Sequence, residues 1–548
     1  MKLKLFLVII LTNLFLSNSF SQPNLEWAKA MGGAHQYGDA SNFITTDDLG
    51  YVYVTGSFVG TADFDPGVDS LKLTSNGLKD IFLQKLDANG NLIWAKSFGG
   101  SLDDEGICIA IDNLGYVNLT GYFMDTVDFD PGAGFSNQIA QGFSDYFVQK
   151  IDSSGNLVWI KTMGSITGDD KGNSIISDSN GNLFIVGNFT GSVDFDPGLG
   201  ISNLTSNGDN DVFIQKLDPN GDLVWAQSIG GTDEEHGNSL TLDSLNNIYV
   251  TGIFNGVVDF DSGTGITNLT SNGGYDVFIQ KVDSNGSLIW VNSFGGTNSD
   301  LANSITLDAS GNVYTTGSFQ GTVDFDPSAS VFNITASGGY NDVFVHKLDN
   351  NGNFIWATNP ILADVNHSRS IATDVLGNVY IIGTATGPLS ATFMQKLDAS
   401  GNQIWNTTFV SSPGDHRGKS LTISSSGDLF ITGFFQQLCD FNPGAGTYNL
   451  AAPNDYGIYV VKFSSTVGIK NFEIESKLTI YPNPASNKLF IDTKLELNET
   501  IIIDIAGKVI VTTKQSTKLV NVTNLSDGIY FIKLITDKGV ITKKFVKQ

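Results

Sequence analysis

NSITLDASGNVYTTGSFQGTVDFDPSASVFNITASGGYNDVFVHKLDNNGNFIWAT, residues 303–358, holds one complete structural unit, and its reading decides the fold. Four short runs rich in β-branched and aromatic residues stand out: NSITLD at 303–308, NVYTTGSF at 312–319, DVFVHKLD at 342–349 and NFIWAT at 353–358. We designate them strands A to D. B and C are nearly continuous apolar runs rather than alternations, the pattern of strands buried on both faces. A and B are joined through Asp308-x-x-Gly311, and C and D through Asp349-x-x-Gly352. An Asp that bonds its own turn backbone, followed by a glycine free to take positive φ, makes a short hairpin.

The unit repeats along most of the chain. The tryptophan of strand D recurs as Trp27, Trp94, Trp159, Trp225, Trp290, Trp356 and Trp405, at spacings of 67, 65, 66, 65, 66 and 49. Every B strand carries a glycine at the same point: Gly56, Gly121, Gly187, Gly252, Gly317, Gly383 and Gly433. Glycine inside a strand signals a bulge or a close approach of neighbouring backbone. The A–B turn is Asp-x-x-Gly in five units, with Asn246 and Ser424 as the exceptions. A four-stranded sheet covered on both faces and repeated radially is a propeller blade. The last unit has A (419–424), B (428–435) and C (456–463) but no tryptophan strand, while the first tryptophan strand, 24–30, has no A, B or C before it. Docking 24–30 onto the last sheet completes seven blades and removes the exposed edges. The expected fold is all-β: a seven-bladed β-propeller over 22–465, closed by its N-terminal strand, then a linker at 466–476 and a small Ig-like β-sandwich over 477–548.

Length and charge fit this division. A chain of 548 residues is too long for one ordinary core unless that core is built from repeats. Thirty Lys+Arg against 56 Asp+Glu give a formal charge of −26. Residues 22–466 hold 16 basic and 48 acidic side chains, net −32, whereas 467–548 carry 12 Lys against 8 acids. Such an acidic body repels phosphate backbones, which excludes nucleic acid as a partner. The first residues, MKLKLFLVIILTNLFLSNSFSQ, combine Lys2 and Lys4, an apolar run and small residues before a cleavage point between Ser21 and Gln22. That is a signal peptide over 1–21, its apolar run too short to span a bilayer comfortably. No later stretch reads as a transmembrane segment, and the exported protein is expected to be a monomer. Cys108 and Cys439 fall in non-neighbouring blades, so no disulfide is expected between them, and Cys108 reads as a small core residue.

The phrases LDxxGNxxWxxxxGG and GNVYxTGxF resemble the SBBP family of β-propeller repeats of exported bacterial proteins, over about 25–465. That resemblance speaks to fold and hardly to activity. In the C-terminal region, YPNPASNKL (481–489), DIAGKVI (504–510), LSDGIYFIKL (525–534) and a lysine-rich end closely resemble the type IX (Por) secretion C-terminal sorting domain of Bacteroidetes. The motif residues are Pro482, Asn483, Pro484, Gly528 and Tyr530. The resemblance implies the type IX secretion machinery as partner, export through the outer membrane, removal of this domain, and either release or attachment to the cell surface.

The A–B and C–D turns lie on one face of a propeller and are short here. The D–A and B–C connections lie on the other face, where they vary in length, and extended loops on a rigid scaffold carry binding. The B–C connections share a phrase, Asp63-Phe-Asp65-Pro-Gly, repeated as Asp128 with Asp130, Asp194 with Asp196, Asp259 with Asp261 and Asp324 with Asp326. Blade 6 lacks it and blade 7 has Asp440-Phe-Asn442. Two carboxylates in a tight turn are hard oxygen ligands for Ca²⁺. The competing reading makes the aspartates turn caps and the Phe a packing wedge. The D–A acids Asp103-Asp104-Glu105, Asp169-Asp170 and Asp233-Glu234-Glu235 read as solvated charge, with a glycosidase-like acid/base pair as the alternative. His236, His367 and His416 fall in the same connections of different blades without HExxH, GxSxG or CxxC beside them. Asp-x-x-Gly-x-x-x-Trp also resembles quinoprotein dehydrogenase propellers, but that family has eight blades against seven here. The sequence therefore points to a surface or secreted binding or adhesion scaffold without a catalytic constellation, its extracellular ligand a glycan or a protein. A carbohydrate-active enzyme using the acids of the long-loop face is the alternative.

Overall fold

The computed structural model describes residues 22–548, except 34–38, 338–339, 361–365, 387–389, 412–413, 465–477, 494–496, 505–508, 514–517 and 537–538. The signal peptide 1–21, Ser21 included, and the linker 466–476 lie outside the described residues. The chain divides into two compact units, 1–465 and 466–548.

In the first unit each repeat forms one antiparallel sheet in the order A–B–C–D. Blade 4, for example, consists of His236–Leu242, Ile248–Phe254, Asp276–Val282 and Leu288–Phe294. Its B and C strands are buried along their full length, as continuous apolar runs require. The core lies between sheets: Phe184, Val186, Val212 and Ile214 of blade 3 pack with Leu240, Ile248, Val250 and Phe254 of blade 4. The tryptophans staple neighbouring blades at the rim. Trp94 Nε1 donates to Ser153 O at 3.1 Å and Trp225 Nε1 to Ser284 O at 3.2 Å, both carbonyls lying in the C–D turn of the next blade.

Closure follows the expected route. Asn24–Gly33 pairs antiparallel with Asn449–Ser464, Trp27 opposite Lys462, and becomes the fourth strand of blade 7. Trp27 and Met31 then join Phe430, Ile458 and Val460 of blade 7 and Ile44, Val52 and Val54 of blade 1 in one cluster. At the axis, the A strand of blade 7, His416–Ile423, packs on that of blade 1, Ala40–Thr46. Ser41 Oγ donates to Gly433 O at 2.9 Å across this seam.

Short turns behave as their residues dictate. Asp47 Oδ1 accepts from Leu49 N and Tyr51 N at 3.0 and 2.9 Å, and Gly50 takes φ 83°. Asn246 occupies the same left-handed position at φ 60°, a conformation Asn tolerates better than other side chains. The B–C connections differ from the open loops the sequence suggests. In blade 1 strands B and C run on as one long hairpin, Val52–Asp63 with Lys72–Leu86. In blade 5 a separate small hairpin, Thr322–Asp324 with Asn333–Thr335, does the same.

The seven B-strand glycines have one cause. Each sits opposite a bulge in strand A: Gly237 pairs with Gly252 and Ser239 with Thr251, so Asn238 is the extra residue. The bulge brings a strand A carbonyl so close that a Cβ on Gly252 would stand 1.9 Å from His236 O. Gly252→Ala is therefore expected to destabilise the propeller by about 3 kcal/mol or more, since backbone cannot yield as a side chain can. Urea melts of the variant and parent measure it.

The second unit has two sheets. One comprises Leu478–Tyr481, Lys488–Thr493 and Leu519–Asn521. The other comprises Val509–Thr513, Leu497–Asp504, Gly528–Thr536 and Gly539–Lys547. They enclose Leu489, Ile491, Ile502, Ile532, Leu534 and Phe545, a small sandwich with its own core.

Candidate ligand-binding face

The bulges do more than kink strand A. A β-bulge re-aims the inserted side chain, and here the seven inserted residues are Asn42, Ile107, Asn173, Asn238, Asn303, Arg369 and Lys419. They line the mouth of the axial channel at the end where the D–A connections arrive. Four asparagines form a relay around the ring. Asn42 Nδ2 donates to Gly106 O at 3.0 Å, Asn173 to Gly237 O at 2.9 Å, Asn238 to Ala302 O at 2.7 Å and Asn303 to Ser368 O at 2.8 Å. Each bond joins a blade to the next and fixes the amide orientation, leaving Oδ1 as the acceptor. In blades 6 and 7 the relay gives way to Arg369 and Lys419.

These two cations adjoin a third. Arg417, second in strand A of blade 7, stands beside an open cleft of about 340 Å³, lined also by Asp39, Lys79, Glu105, Lys419, Phe434 and Tyr456. Its guanidinium pairs with Asp415 at 2.9 Å and lies 5.6 Å from the Phe434 ring centre. Phe434 meets Tyr456 edge to face at 5.8 Å. Among the described residues neither Arg369 nor Lys419 forms an ion pair with a carboxylate. Burial presses the Lys419 ammonium down to about 8, helped by Arg369, Arg417 and Lys79 and opposed by Glu105. Arg369 reaches solvent at the mouth but is walled by strands, and burial followed by Arg417 lowers its pKa. The Glu105 carboxylate is engaged by Asn42 Nδ2 at 2.8 Å and Tyr122 OH at 3.0 Å.

The lysines of the C strands, by contrast, have structural partners. The C-strand lysines hold the opposite, short-turn end: Lys150 pairs with Asp112 at 3.0 Å, Lys396 with Asp374 at 3.4 Å and Lys462 with Asp428 at 3.1 Å. Sequence reading missed the axial cluster, though a signal was present. Arg369 and Arg417 are the only two arginines in 548 residues, and both fall at the start of an A strand.

The Asp-Phe-Asp pairs, read from the sequence as candidate calcium ligands, sit at the tips of the B–C hairpins. Asp194 Oδ1 accepts from Asp196 N at 3.0 Å and Ser202 N at 2.8 Å, and Asp196 Oδ1 from Gly198 N at 2.8 Å. Asp63 and Asp65 bind the corresponding amides in blade 1. In blade 2 Asp128 caps Asp130 N and Ser136 N, and Asp130 Oδ1 accepts from Gly132 N at 2.8 Å. In blade 4 Asp259 caps Asp261 N and Thr267 N, and Asp261 Oδ1 accepts from Gly263 N at 2.9 Å. Blade 5 differs in one partner: Asp324 caps Asp326 N and Phe332 N, but Asp326 Oδ1 accepts from Ser328 N, at 2.9 Å, in place of a glycine. Between the two acids of blade 3, Phe195 is fully buried against Phe189 and Phe213 at 5.3 and 5.1 Å, and Gln215 Nε2 donates to its carbonyl at 2.8 Å.

This geometry supports the turn-cap account of these pairs. The second acid of each pair, namely Asp65, Asp130, Asp196, Asp261 and Asp326, spends an oxygen on the amide two residues ahead, and the first acid binds two amides of the same turn. The carboxylates are thus engaged in turn capping rather than gathered around a common point. Each pair also stands on its own hairpin. Among the described residues no group of three or more His, Cys, Asp or Glu converges as a metal site. Phe195→Ala is expected to cost about 3–5 kcal/mol, while chelator leaves the parent melting curve unchanged. A calcium-dependent rise in melting temperature would instead assign the pairs to the metal.

The D–A acids correct the sequence reading. Asp104, Asp170 and Glu235 are not solvated but fully buried. Asp104 Oδ2 accepts from Gly100 N at 2.8 Å and Oδ1 from Met124 N at 2.9 Å, clamping two connections of its blade. Asp170 does the same with Ser165 N and Thr190 N at 2.6 and 3.0 Å. A second buried acid sits beside each, Asp80, Asp145 and Asp211 respectively. His416 is likewise a core residue, its Nδ1 2.7 Å from Thr392 Oγ1, with its pKa held down to about 3 by burial. His236 stays at the surface, 2.9 Å from Glu234, whose carboxylate also accepts the Tyr275 hydroxyl.

In the C-terminal unit Asn483, between Pro482 and Pro484, clamps its turn to the last strand. Its Nδ2 donates to Lys544 O at 3.2 Å and its Oδ1 accepts from Val546 N at 2.9 Å. Tyr530, two residues after Gly528, stacks on Phe545 at 5.7 Å and donates to Ser526 O at 3.0 Å. The motif residues therefore lock the edges of this sandwich. Among the described residues no helix is long and apolar enough to cross a membrane.

Comparison with known proteins agrees with the C-terminal reading. Residues 479–548 match the family of secretion system C-terminal sorting domains. Over 431 residues the chain is 23% identical to an uncharacterized WD repeat-containing protein of Acanthamoeba polyphaga mimivirus, covering 65% of this chain and 31% of that protein. It is 25% identical over 266 residues to the regulatory protein FlaEY of Caulobacter vibrioides, covering 46% and 27%. The chain thus spans about a third or less of these relatives. Among solved structures it is similar to PorZ, a surface component of the type IX secretion system of Porphyromonas gingivalis (9% identity, 95% and 100% covered, TM-score 0.26). It is also similar to Sqt1 of Chaetomium thermophilum (10% identity, 96% and 99% covered, TM-score 0.35). Fold and sorting domain together define the class: a β-propeller repeat protein bearing a Por secretion C-terminal sorting domain. It is exported by the type IX route to the cell surface or beyond.

Proposed function

We propose that the propeller is a non-enzymatic binding scaffold, an adhesin or glycan-binding protein, whose sorting domain is removed on export and whose blades are of the SBBP type. One observation carries this reading. The long-loop face presents an open cleft of cations, carboxylates, amides and aromatic rings, while three of its eight candidate acid/base residues, Asp104, Asp170 and Glu235, are buried against backbone amides, and Glu105 at the cleft is held by Asn42 and Tyr122. A general acid must reach the bond that it protonates. A screen of glycans and polysaccharides, scored for both retention and product release, tests the proposal. Retention of intact polymer supports it, and release of new reducing ends overturns it in favour of a carbohydrate-active enzyme.

A further inference from the structure

We infer that the axial mouth is an acidic-saccharide site, in which Arg369, Arg417 and Lys419 take the anionic group and Phe434 with Tyr456 walls the sugar ring. The inference deepens the binding-scaffold reading and rests on it.

Three independent features converge there. The first is charge. In a body of net −32, Arg369, Arg417 and Lys419 gather on two adjacent A strands. Arg369 and Lys419 are in bulge positions, which aims them at the mouth rather than along the sheet. Among the described residues Arg369 and Lys419 have no carboxylate partner, whereas Arg417 shares its guanidinium with Asp415, and crowding like charges costs energy that a bound anion relieves. Guanidinium groups offer planar, forked donors suited to carboxylate or sulfate.

The second feature is the amide relay. Asn42, Asn173, Asn238 and Asn303 have their N–H groups held by the next blade, so each presents a carbonyl oxygen to the same mouth. Acceptors on a curved rim suit a ligand rich in hydroxyl donors, which a saccharide is and a simple carboxylic acid is not. The third is the aromatic pair, Phe434 with Tyr456, in the cleft that continues from the mouth. An apolar ring wall accepts the C–H face of a pyranose. The surrounding acidity selects against densely charged polyanions, leaving saccharides with isolated charges.

The test is an immobilised glycan panel in four arms: neutral, carboxylated and sulfated saccharides, and peptides with a free C-terminal carboxylate. The full chain is compared with Arg369→Gln, Arg417→Gln, Arg369→Lys and the remote control Lys161→Gln, each first checked for an unchanged melting curve. Retention of carboxylated or sulfated saccharides at least about tenfold above their neutral counterparts is expected. That preference should be lost in both Gln variants, partly kept in Arg369→Lys and intact in Lys161→Gln. The carboxylated and sulfated arms report which anion the site takes. Retention of neutral glycans alone, or of acidic ones undiminished in both Gln variants, overturns the axial site and leaves the binding scaffold standing. Retention of peptides alone overturns the saccharide assignment. Retention of nothing in any arm overturns both readings.

Discussion

Deleting residues 22–33 is expected to abolish the cooperative melting of the propeller and drive the protein into aggregates. The deleted strand supplies Trp27 and Met31 to the cluster joining blades 7 and 1, and the Glu26–Lys462 pair at 2.8 Å. Losing two such side chains costs about 5–10 kcal/mol, as much as the whole stability of an ordinary domain. It also bares strand C of blade 7, Asn449–Ser464, as an unpaired edge, which invites pairing between molecules. A peptide of residues 22–33 added in trans should restore a measurable share of the melting transition. Light scattering and calorimetry read both effects, and a truncated protein that melts like the parent would show that closure does not depend on this strand.

The propeller is also expected to gain stability as pH falls from 8 to 6.5, the opposite of most acid responses. Eight buried acids, Asp80, Asp104, Asp145, Asp170, Asp211, Glu235, Asp276 and Asp300, have pKa values raised above their ordinary range, chiefly by burial. Asp104 and Glu235 are pushed up to about 7, with neighbouring acids adding to the effect. A raised carboxyl pKa means that the folded state holds protons the unfolded state has released. This contribution is full near pH 4 and disappears as pH rises through 6 to 7. A shift of two units corresponds to about 2.7 kcal/mol for one group. His346 and His416 act oppositely: burial lowers them to about 4 and 3, so their contribution is full above pH 6.5 and falls away below it. Between pH 8 and 6.5 the eight carboxylates outweigh the two histidines and Lys419, whose ammonium, pressed down to about 8 by burial, takes up its remaining proton across the same window and acts against them. Melting temperature should rise across that window, and the double variant Asp104→Asn, Glu235→Gln should flatten the slope. A parent that melts lower at pH 6.5 than at pH 8 would place those acids in the ionised form.

Much of this architecture was legible in the residues because a repeat writes its rules locally. The tryptophan spacing counted the blades, and the two incomplete units at 24–30 and 419–463 specified how the ring closes. Gly252 and its six counterparts announced a bulge, because no other residue survives that approach to a carbonyl. The Phe of each Asp-Phe-Asp turn read correctly as a wedge in the alternative account, since an aromatic flanked by turn caps has nowhere else to go. The spacing of Asp130, Asp261 and Asp326 from their partner acids suits a calcium loop and a capped turn equally, and the amide positions that support the cap are visible only in the folded hairpin.

Burial is where reading along the chain failed. Asp104 and Asp103 are neighbours in sequence and chemically alike, yet Asp104 is clamped beneath two connections of its own blade, and nothing local distinguishes them. The same holds for His416, which the sequence places in a D–A connection and the closing blade encloses.

The sequence by itself thus determined the number of blades, the closing strand, the turns and the address carried by residues 479–548, all of them set by short-range patterns. Only the tertiary structure decided which loop acids are structural and which residues share the axial mouth. Ring closure sets blade 7 beside blade 1, so Lys79, Glu105, Arg417 and Lys419 meet in one cleft although they are far apart along the chain. Proximity of that kind is a property of the closed ring, and desolvation and like-charge repulsion act on the closed ring alone.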